Sequence, residues 1–342
     1  MAMTNWRILR NRFRKILVAT VILTAIGIPL LMTIGAQPAR AATGLLLFGL
    51  GLGAFEEFYF QAKSGEWLRR LHPLVSLAIS IAAALAIVAA ATVIDLVLWG
   101  ATDRIAGALI NLARNLHIVL LLIAGLVLSL RVISFIGGRT LLRLMTGRYH
   151  RPVNERRVLA FLDIKGSTAL VERLGPLRGK EAIERIVSRL SRLVIEHGGD
   201  VYIFTGDGLI GIWDWDAAID EARILDFAHA ALAAVSELEP GFSRDYGVVP
   251  AVRIGIHGGE VVVSEQGDIR RAIGIWGDVI NIAARLEQAG KELGRDCIIS
   301  REIVKELGGG DLGLEPLAPI HAKGISYEIA AYALTAGASP KS

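Results

Sequence analysis

A chain of 342 residues has room for two domains, and its 53% hydrophobic content and mean hydropathy of +0.50 exclude a protein that is soluble throughout. The single cysteine, Cys297, excludes an internal disulfide framework, has no partners for a metal site, and reads as a buried strand residue. A net charge of +4 does not point to nucleic acid, because the basic residues cluster beside apolar segments: Arg7, Arg10, Arg12, Arg14 and Lys15, then Lys63, Arg69 and Arg70, then Arg139, Arg143, Arg148 and Arg151.

Residues 1–138 read as a membrane domain, an α-helical transmembrane bundle of four helices at about 16–36, 42–60, 74–99 and 116–137. The first and third are long uninterrupted apolar runs. The second carries about fifteen apolar residues before Glu56 and Glu57, and the fourth contains Arg131. No clean small-residue cleavage site follows the first run, so it is expected to remain as a span. If all four cross, the three basic clusters share one side, and Arg40, Arg104 and Arg114 share the other. That arrangement puts both termini and the C-terminal domain in the cytoplasm of a multi-pass protein of the cell (inner or plasma) membrane, with lipid as a partner. Glu56, Glu57 and Arg131, at similar depth near the cytoplasmic face, read as side chains that snorkel to the interface or as part of a sensing or signal-coupling network.

A basic linker, 139–154, leads into a domain expected over 155–336, with 337–342 a flexible tail. Val158–Ile164 reads as a buried strand. Lys180–His197 reads as a helix with Ile183, Ile186, Val187, Leu190, Leu193 and Val194 on one face, stopped by Gly198-Gly199. Val201–Phe204 and Leu209–Trp213 flank a Gly206-Asp207-Gly208 turn, a hairpin signal. Ala217–Leu238 predicts a second long helix. Val252–His257 and Glu260–Ser264 predict a strand pair joined at Gly258-Gly259, where His257 and the glycines are structural. Asp278–Gln288 predicts a third helix, followed by a strand at Cys297–Ile299, a short helix from Arg301, and strands near 314–320 and 327–334. Helices mixed with an antiparallel-rich sheet make an α+β domain of the ferredoxin-like kind.

Two acids in this domain carry chemistry. Asp163 ends an apolar strand and is followed by a small-residue turn, and Asp207 sits in a tight turn 44 residues later. Two carboxylates at strand ends can hold a pair of Mg²⁺ or Mn²⁺ ions, the usual device for in-line displacement at phosphorus. Taken singly, Asp163 reads equally as a helix N-cap and Asp207 as an ordinary turn acid. Asn281 and Arg285, four apart on a helix, share a face, which is commonplace on an exposed helix.

Five segments, in order, resemble the catalytic domain of the class III adenylate and guanylate cyclases. They are Phe161-Leu162-Asp163-Ile164-Lys165-Gly166-Ser167-Thr168, Gly206-Asp207-Gly208, Arg253-Ile254-Gly255-Ile256-His257-Gly258-Gly259, the run from Trp276-Gly277-Asp278 through Asn281 and Arg285 to Glu287, and Ala322-Lys323-Gly324-Ile325. The resemblance implies a nucleotidyl cyclase in which a ribose 3′-hydroxyl attacks the α-phosphorus of its own nucleoside triphosphate and expels pyrophosphate. It assigns Asp163, Asp207 and the Ile164 carbonyl to two metal ions, Asn281 to the ribose, and Arg285 to charge on the α-phosphate. It gives Lys323 and Arg253 to the terminal phosphates, although each could be a solvated surface charge. It further implies a homodimer whose metal acids come from one chain and whose Asn/Arg pair comes from the other.

The two positions that read the base in such enzymes are here Ile203 and Gly274, and neither side chain can hydrogen-bond a base edge. Tyr202 is adjacent to Ile203, but strand alternation turns it to the opposite face unless the register slips. ATP conversion to 3′,5′-cyclic AMP is the first expectation. The alternatives are GTP or a pyrimidine nucleotide, and a membrane receptor whose cyclase-like domain is inactive.

Overall fold

The computed structural model describes residues 37–60, 63–65, 67–68, 71–100, 104–114, 120, 123–128, 146–268, 272–308, 312–320 and 327–334, with positions 13, 16–17, 19–25, 27–29 and 32. The chain divides into two compact units, Met1–Leu141 and Leu142–Ser342.

In the first unit, helix α1 spans Pro38–Ala54 and runs on into a π-helical stretch, Phe55–Phe60, that carries Glu56 and Glu57. Helix α2 spans Pro73–Leu98 and α3 spans Ile105–Arg114. Proline at the first turn suits the starts of α1 and α2, since it lacks only an N–H that would be unpaired there. Leu52 of α1 packs with Ala84 of α2 and with Ile123 and Val127. Among the described residues, two stretches, Pro38–Phe60 and Pro73–Leu98, are long and apolar enough to cross a bilayer; at 26 residues the second reaches about 39 Å. They coincide with the expected spans at 42–60 and 74–99. The expected span at 16–36 lies partly outside the described residues and that at 116–137 for the most part, while Arg131, Lys323 and the tail at 337–342 lie outside them altogether.

The second unit is built on a mixed sheet. Its strands are β1 (Val153–Ile164), β2 (Asp200–Phe204), β3 (Gly208–Asp214), β4 (Val252–Gln266), β5 (Ala272–Trp276), β6 (Cys297–Ser300), β7 (Leu314–Pro316) and β8 (Ala331–Leu334). The order is β2-β3-β1-β4-β6-β8-β7, with β5 paired to β4, and among the described residues only β4–β6 is parallel. Strand β1 starts inside the expected linker: the Tyr149 hydroxyl, on a fully buried ring, donates to Glu155 (3.1 Å) and accepts from Arg157 (2.8 Å). The helices are α4 (Ser167–Leu174), α5 (Pro176–Glu196), α6 (Trp215–Ile219), α7 (Arg223–Tyr246), α8 (Asp278–Leu293) and α9 (Arg301–Glu306).

Val158, Leu159 and Ala160 of β1 are all fully buried, because helices cover both faces of the sheet. On one face α5 and α7 pack against Val158, Ala160, Leu162, Ile254 and Ile256. On the other, α8 lays Val279 and Ala283 against Leu159 and Val261, and Ile282 and Leu286 against Ile298 and Ala331. All six apolar positions expected on one face of α5 are buried. Cys297 is buried in β6, where desolvation holds its thiol well above the ordinary range and makes it an inert core residue.

Two expectations are corrected. The helix read from Ala217 to Leu238 is two helices, split where Glu221 and Ala222 adopt positive φ of 54° and 52°. The strand pair read around Gly258-Gly259 is one continuous strand, β4, of 15 residues. Gly258 is there for space: a Cβ would lie 2.7 Å from Ile303, 2.8 Å from Trp215 and 3.0 Å from Val158.

His257, beside it, is structural for a different reason from a turn. Its ring is buried with Nδ1 2.8 Å from the Ser300 hydroxyl, and burial, only partly opposed by Glu302, pulls its pKa down to about 4 from an ordinary 6.5. The folded state therefore resists a proton that the unfolded chain accepts. The unit is expected to lose about 3 kcal/mol through this group as pH falls from 6.5 to 4, with no effect above pH 6.5. Urea unfolding across that range measures it: His257→Gln, which cannot titrate, should show a flatter acid limb than the parent chain.

Candidate active site

The site grows from the end of β1. Asp163 is in register with Gly208 on β3 and with Arg253 on β4. Gly208 admits the close approach, since a Cβ there would lie 2.1 Å from the Leu162 carbonyl oxygen. The β2–β3 turn thereby holds Asp207 alongside Asp163. Ser167, buried at the start of α4, donates from its hydroxyl to Asp207 Oδ2 at 2.6 Å. Ile164, the last residue of β1, has its side chain in the core and its backbone at the same strand end as Asp163.

Arg253 ties this end of the sheet to α8. Its Nη2 donates to Asp163 Oδ2 at 2.6 Å and its Nε to Glu287 Oε1 at 2.7 Å. The three side chains are 15%, 29% and 12% exposed, so the network is largely out of water. Two carboxylates, Asp163 and Glu287, thus share one guanidinium, and the charge of a third, Asp207, also acts on Asp163. The Asp163 carboxyl is pushed up to about 6, first by burial and then by the charges of Glu287 and Asp207, against the pull of Arg253.

This surplus of negative charge, carried on oxygen donors, is what a Mg²⁺ or Mn²⁺ ion would relieve, so the donor set fits the metals expected from the sequence. Among the described residues, no group of three His, Cys, Asp or Glu side chains is arranged to hold a metal by itself. The remaining ligands would have to be backbone carbonyl, water and substrate phosphate, as is usual for ions that act on nucleotides.

Asn281 and Arg285 stand on α8, Asn281 exposed and Arg285 half-buried with Nη1 donating to Gln288 Oε1 at 2.7 Å. They share a face, but not the face that reaches Asp163. At about 100° per residue, Arg285 is turned about 160° around α8 from Glu287, and Asn281 about 120°. Because Glu287 is fixed toward Asp163 through Arg253, the Asn/Arg pair points away from the acids of its own chain. Lys323 lies outside the described residues.

The strands that carry the expected base positions are tied to each other by a bond the sequence left conditional. The β2–β3 register shifts between Val201 and Ile203, leaving Tyr202 in a bulge. Its hydroxyl accepts from the Ile275 backbone N–H at 3.3 Å, bridging β2 to β5. Ile203 is half exposed, and Gly274, next to Ile275, is buried. Sequence reasoning did not assign Ser167, Glu287 or Tyr202. Ser167 and Glu287 both lie inside the quoted motifs, and their hydroxyl and acid were the available signal.

The adenylate and guanylate cyclase catalytic domain family matches residues 151–336. Adenylate cyclase 2 of Rhizobium meliloti (strain 1021) is 33% identical over 213 residues, covering 62% of this chain and 59% of that protein. An adenylate cyclase of Anabaena cylindrica is 26% identical over 156 residues, covering 44% of this chain and 31% of that one. The chain therefore spans about three fifths and one third of the lengths of these relatives. A solved bacterial light-regulated adenylyl cyclase has the same fold, with a TM-score of 0.54 at 19% identity over 62% of each chain. The motifs, the sheet that places them and the match over more than half its length agree: the chain belongs to the class III adenylate and guanylate cyclase family.

Proposed function

We propose that this protein is a membrane-anchored adenylate cyclase that converts ATP to 3′,5′-cyclic AMP and pyrophosphate. The observation that carries the reading is the pair of strand-end acids, Asp163 and Asp207, held together with Asp163 out of its ordinary charge balance. Such a pair costs stability unless a cation is drawn to it, and the chain keeps it. Asp163, Asp207 and the Ile164 carbonyl would hold two Mg²⁺ or Mn²⁺ ions, which when bound supply Lewis acidity for the attacking hydroxyl and the phosphates.

The chain's own side chains do the rest. Asn281 orients the ribose so that its 3′-oxygen can approach the α-phosphorus in line. Arg285 stabilises the charge that builds on the α-phosphate as the new P–O bond forms and pyrophosphate leaves with the electrons of the old one. Lys323 binds the terminal phosphates. Arg253 commits Nε and Nη2 to Glu287 and Asp163, so it serves first to hold the acids, and phosphate contact falls to its Nη1.

Because Asn281 and Arg285 point away from the acids of their own chain, a complete site draws on two copies, which supports a homodimer with two composite sites. The two apolar helices support anchoring in the cell membrane, with the catalytic unit on the cytoplasmic side where nucleoside triphosphates are found.

The test offers ATP, GTP, CTP and UTP separately to the full-length protein in lipid vesicles with Mg²⁺ or Mn²⁺ and identifies products by mass spectrometry. Cyclic AMP as the main product, absent with Asp163→Ala, is the expected result. No cyclic nucleotide from any of the four would overturn the reading.

A further inference from the structure

Gly274 has no side chain, yet the space its side chain would fill is not empty. A Cβ built on Gly274 would lie 1.8 Å from Nε2 and 2.1 Å from Cδ of Gln266. Strands β4 and β5 explain the placement: Ser264 is the register partner of Gly274, and Gln266, two residues on, points to the same face. The Gln266 carboxamide therefore lies across Gly274, one residue from the Ile275 N–H that bonds Tyr202 of β2. It is half-buried, and among the described residues its carboxamide has no hydrogen-bond partner. A half-buried amide with one free acceptor and two free donors is suited to a ligand edge that offers the reverse pattern.

We infer that Gln266 is the base-reading residue of this chain, its carboxamide supplying the donor and acceptor that Ile203 and Gly274 lack. The amide group matches adenine in a bidentate pair: its oxygen accepts from the exocyclic N6 amine, and its N–H donates to the adjacent ring nitrogen. Ile203, half exposed and apolar, offers a surface against which the ring can lie. The glycine at 274 is then a requirement, because any larger residue there would displace the amide. This inference rests on the cyclase reading for the placement of the base.

The experiment uses the full-length chain and two variants, Gln266→Ala and Gln266→Glu. It measures kcat/KM for ATP and GTP, and affinity for 3′-deoxy-ATP and 3′-deoxy-GTP, which lack the attacking hydroxyl. Gln266→Ala should lower kcat/KM for ATP about 10- to 100-fold and change that for GTP by less than about threefold. Gln266→Glu, acceptor-only and of the same shape, should lose ATP and gain GTP relative to the parent, since guanine offers N–H donors at the matching edge. An ATP/GTP ratio unchanged in both variants would overturn the inference, and so would equal losses for both nucleotides. If the parent forms no cyclic product while the affinity ratio for the 3′-deoxy nucleotides still shifts with Gln266, the base-reading role stands and the catalytic reading falls.

Discussion

Asp163→Ala and Arg285→Ala should each lower turnover by about a thousandfold or more, yet an equal mixture of the two inactive chains should recover about a quarter of parental activity. In the proposed roles the first variant removes a metal acid and the second a group that acts on the transition-state charge, so each homodimer would have two broken sites. In a mixed dimer one site collects both defects and the other collects none. Half the dimers in an equal mixture are mixed, and half of their sites are intact. The orientation of α8 makes this expectation specific to the structure, because Glu287 faces Asp163 while Asn281 and Arg285 face away. Recovery is read as cyclic nucleotide formed after co-expression of the two chains. No recovery, with mixed dimers shown to form, contradicts the shared site. Asp163→Ala should also leave folding stability unchanged or slightly higher, since burial, Glu287 and Asp207 already disfavour its charge.

Arg253→Ala should cost both stability and turnover. The guanidinium bridges Asp163 and Glu287 through two different nitrogens, and its loss leaves three carboxylates facing one another in a largely desolvated corner. Removing one partner from such a network costs about 2–3 kcal/mol, discounted from the fully buried case because Asp163 is 29% exposed. Arg253→Lys should restore little of it, since an ammonium cannot reach two carboxylates in the planar geometry of the fork. Urea unfolding and steady-state kinetics on the same samples separate the two roles. A variant that keeps its stability and loses only affinity for the triphosphate would make Arg253 a phosphate ligand and nothing more.

Much of the catalytic unit was legible because its signals are local. The face of α5, the Gly206-Asp207-Gly208 turn, the start of α8 and the burial of Cys297 follow from periodicity and turn chemistry within a few residues. The apolar runs behind Pro38–Phe60 and Pro73–Leu98 were plain for the same reason. What escaped was set by contacts distant in sequence. Gly258-Gly259 looked like a turn, but it is a passage where the sheet touches Ile303 and Trp215. Residues 217–238 read as one helix because nothing in Glu221-Ala222 announces a left-handed backbone. Short α4 and β5 carry too few periodic positions to be seen.

The site divides in the same way. The two acids and the Asn/Arg pair could be named from sequence, since motif spacing marks them. Arg253 could be named but its partners could not, because Asp163 lies 90 residues away on one side and Glu287 lies 34 away on the other. Tyr202 was judged on ideal alternation, and the bulge in β2 changes which groups it meets.

The most direct test of the central claim is the stoichiometry of the reaction. The full-length protein in lipid vesicles would be given ATP and Mg²⁺ and followed by phosphorus NMR. 3′,5′-Cyclic AMP and pyrophosphate should appear together in equal amounts, with no inorganic phosphate formed, and both signals should vanish in Asp163→Ala. Release of ADP and phosphate, or of linear AMP, would contradict the claim and make the strand-end acids those of a hydrolase.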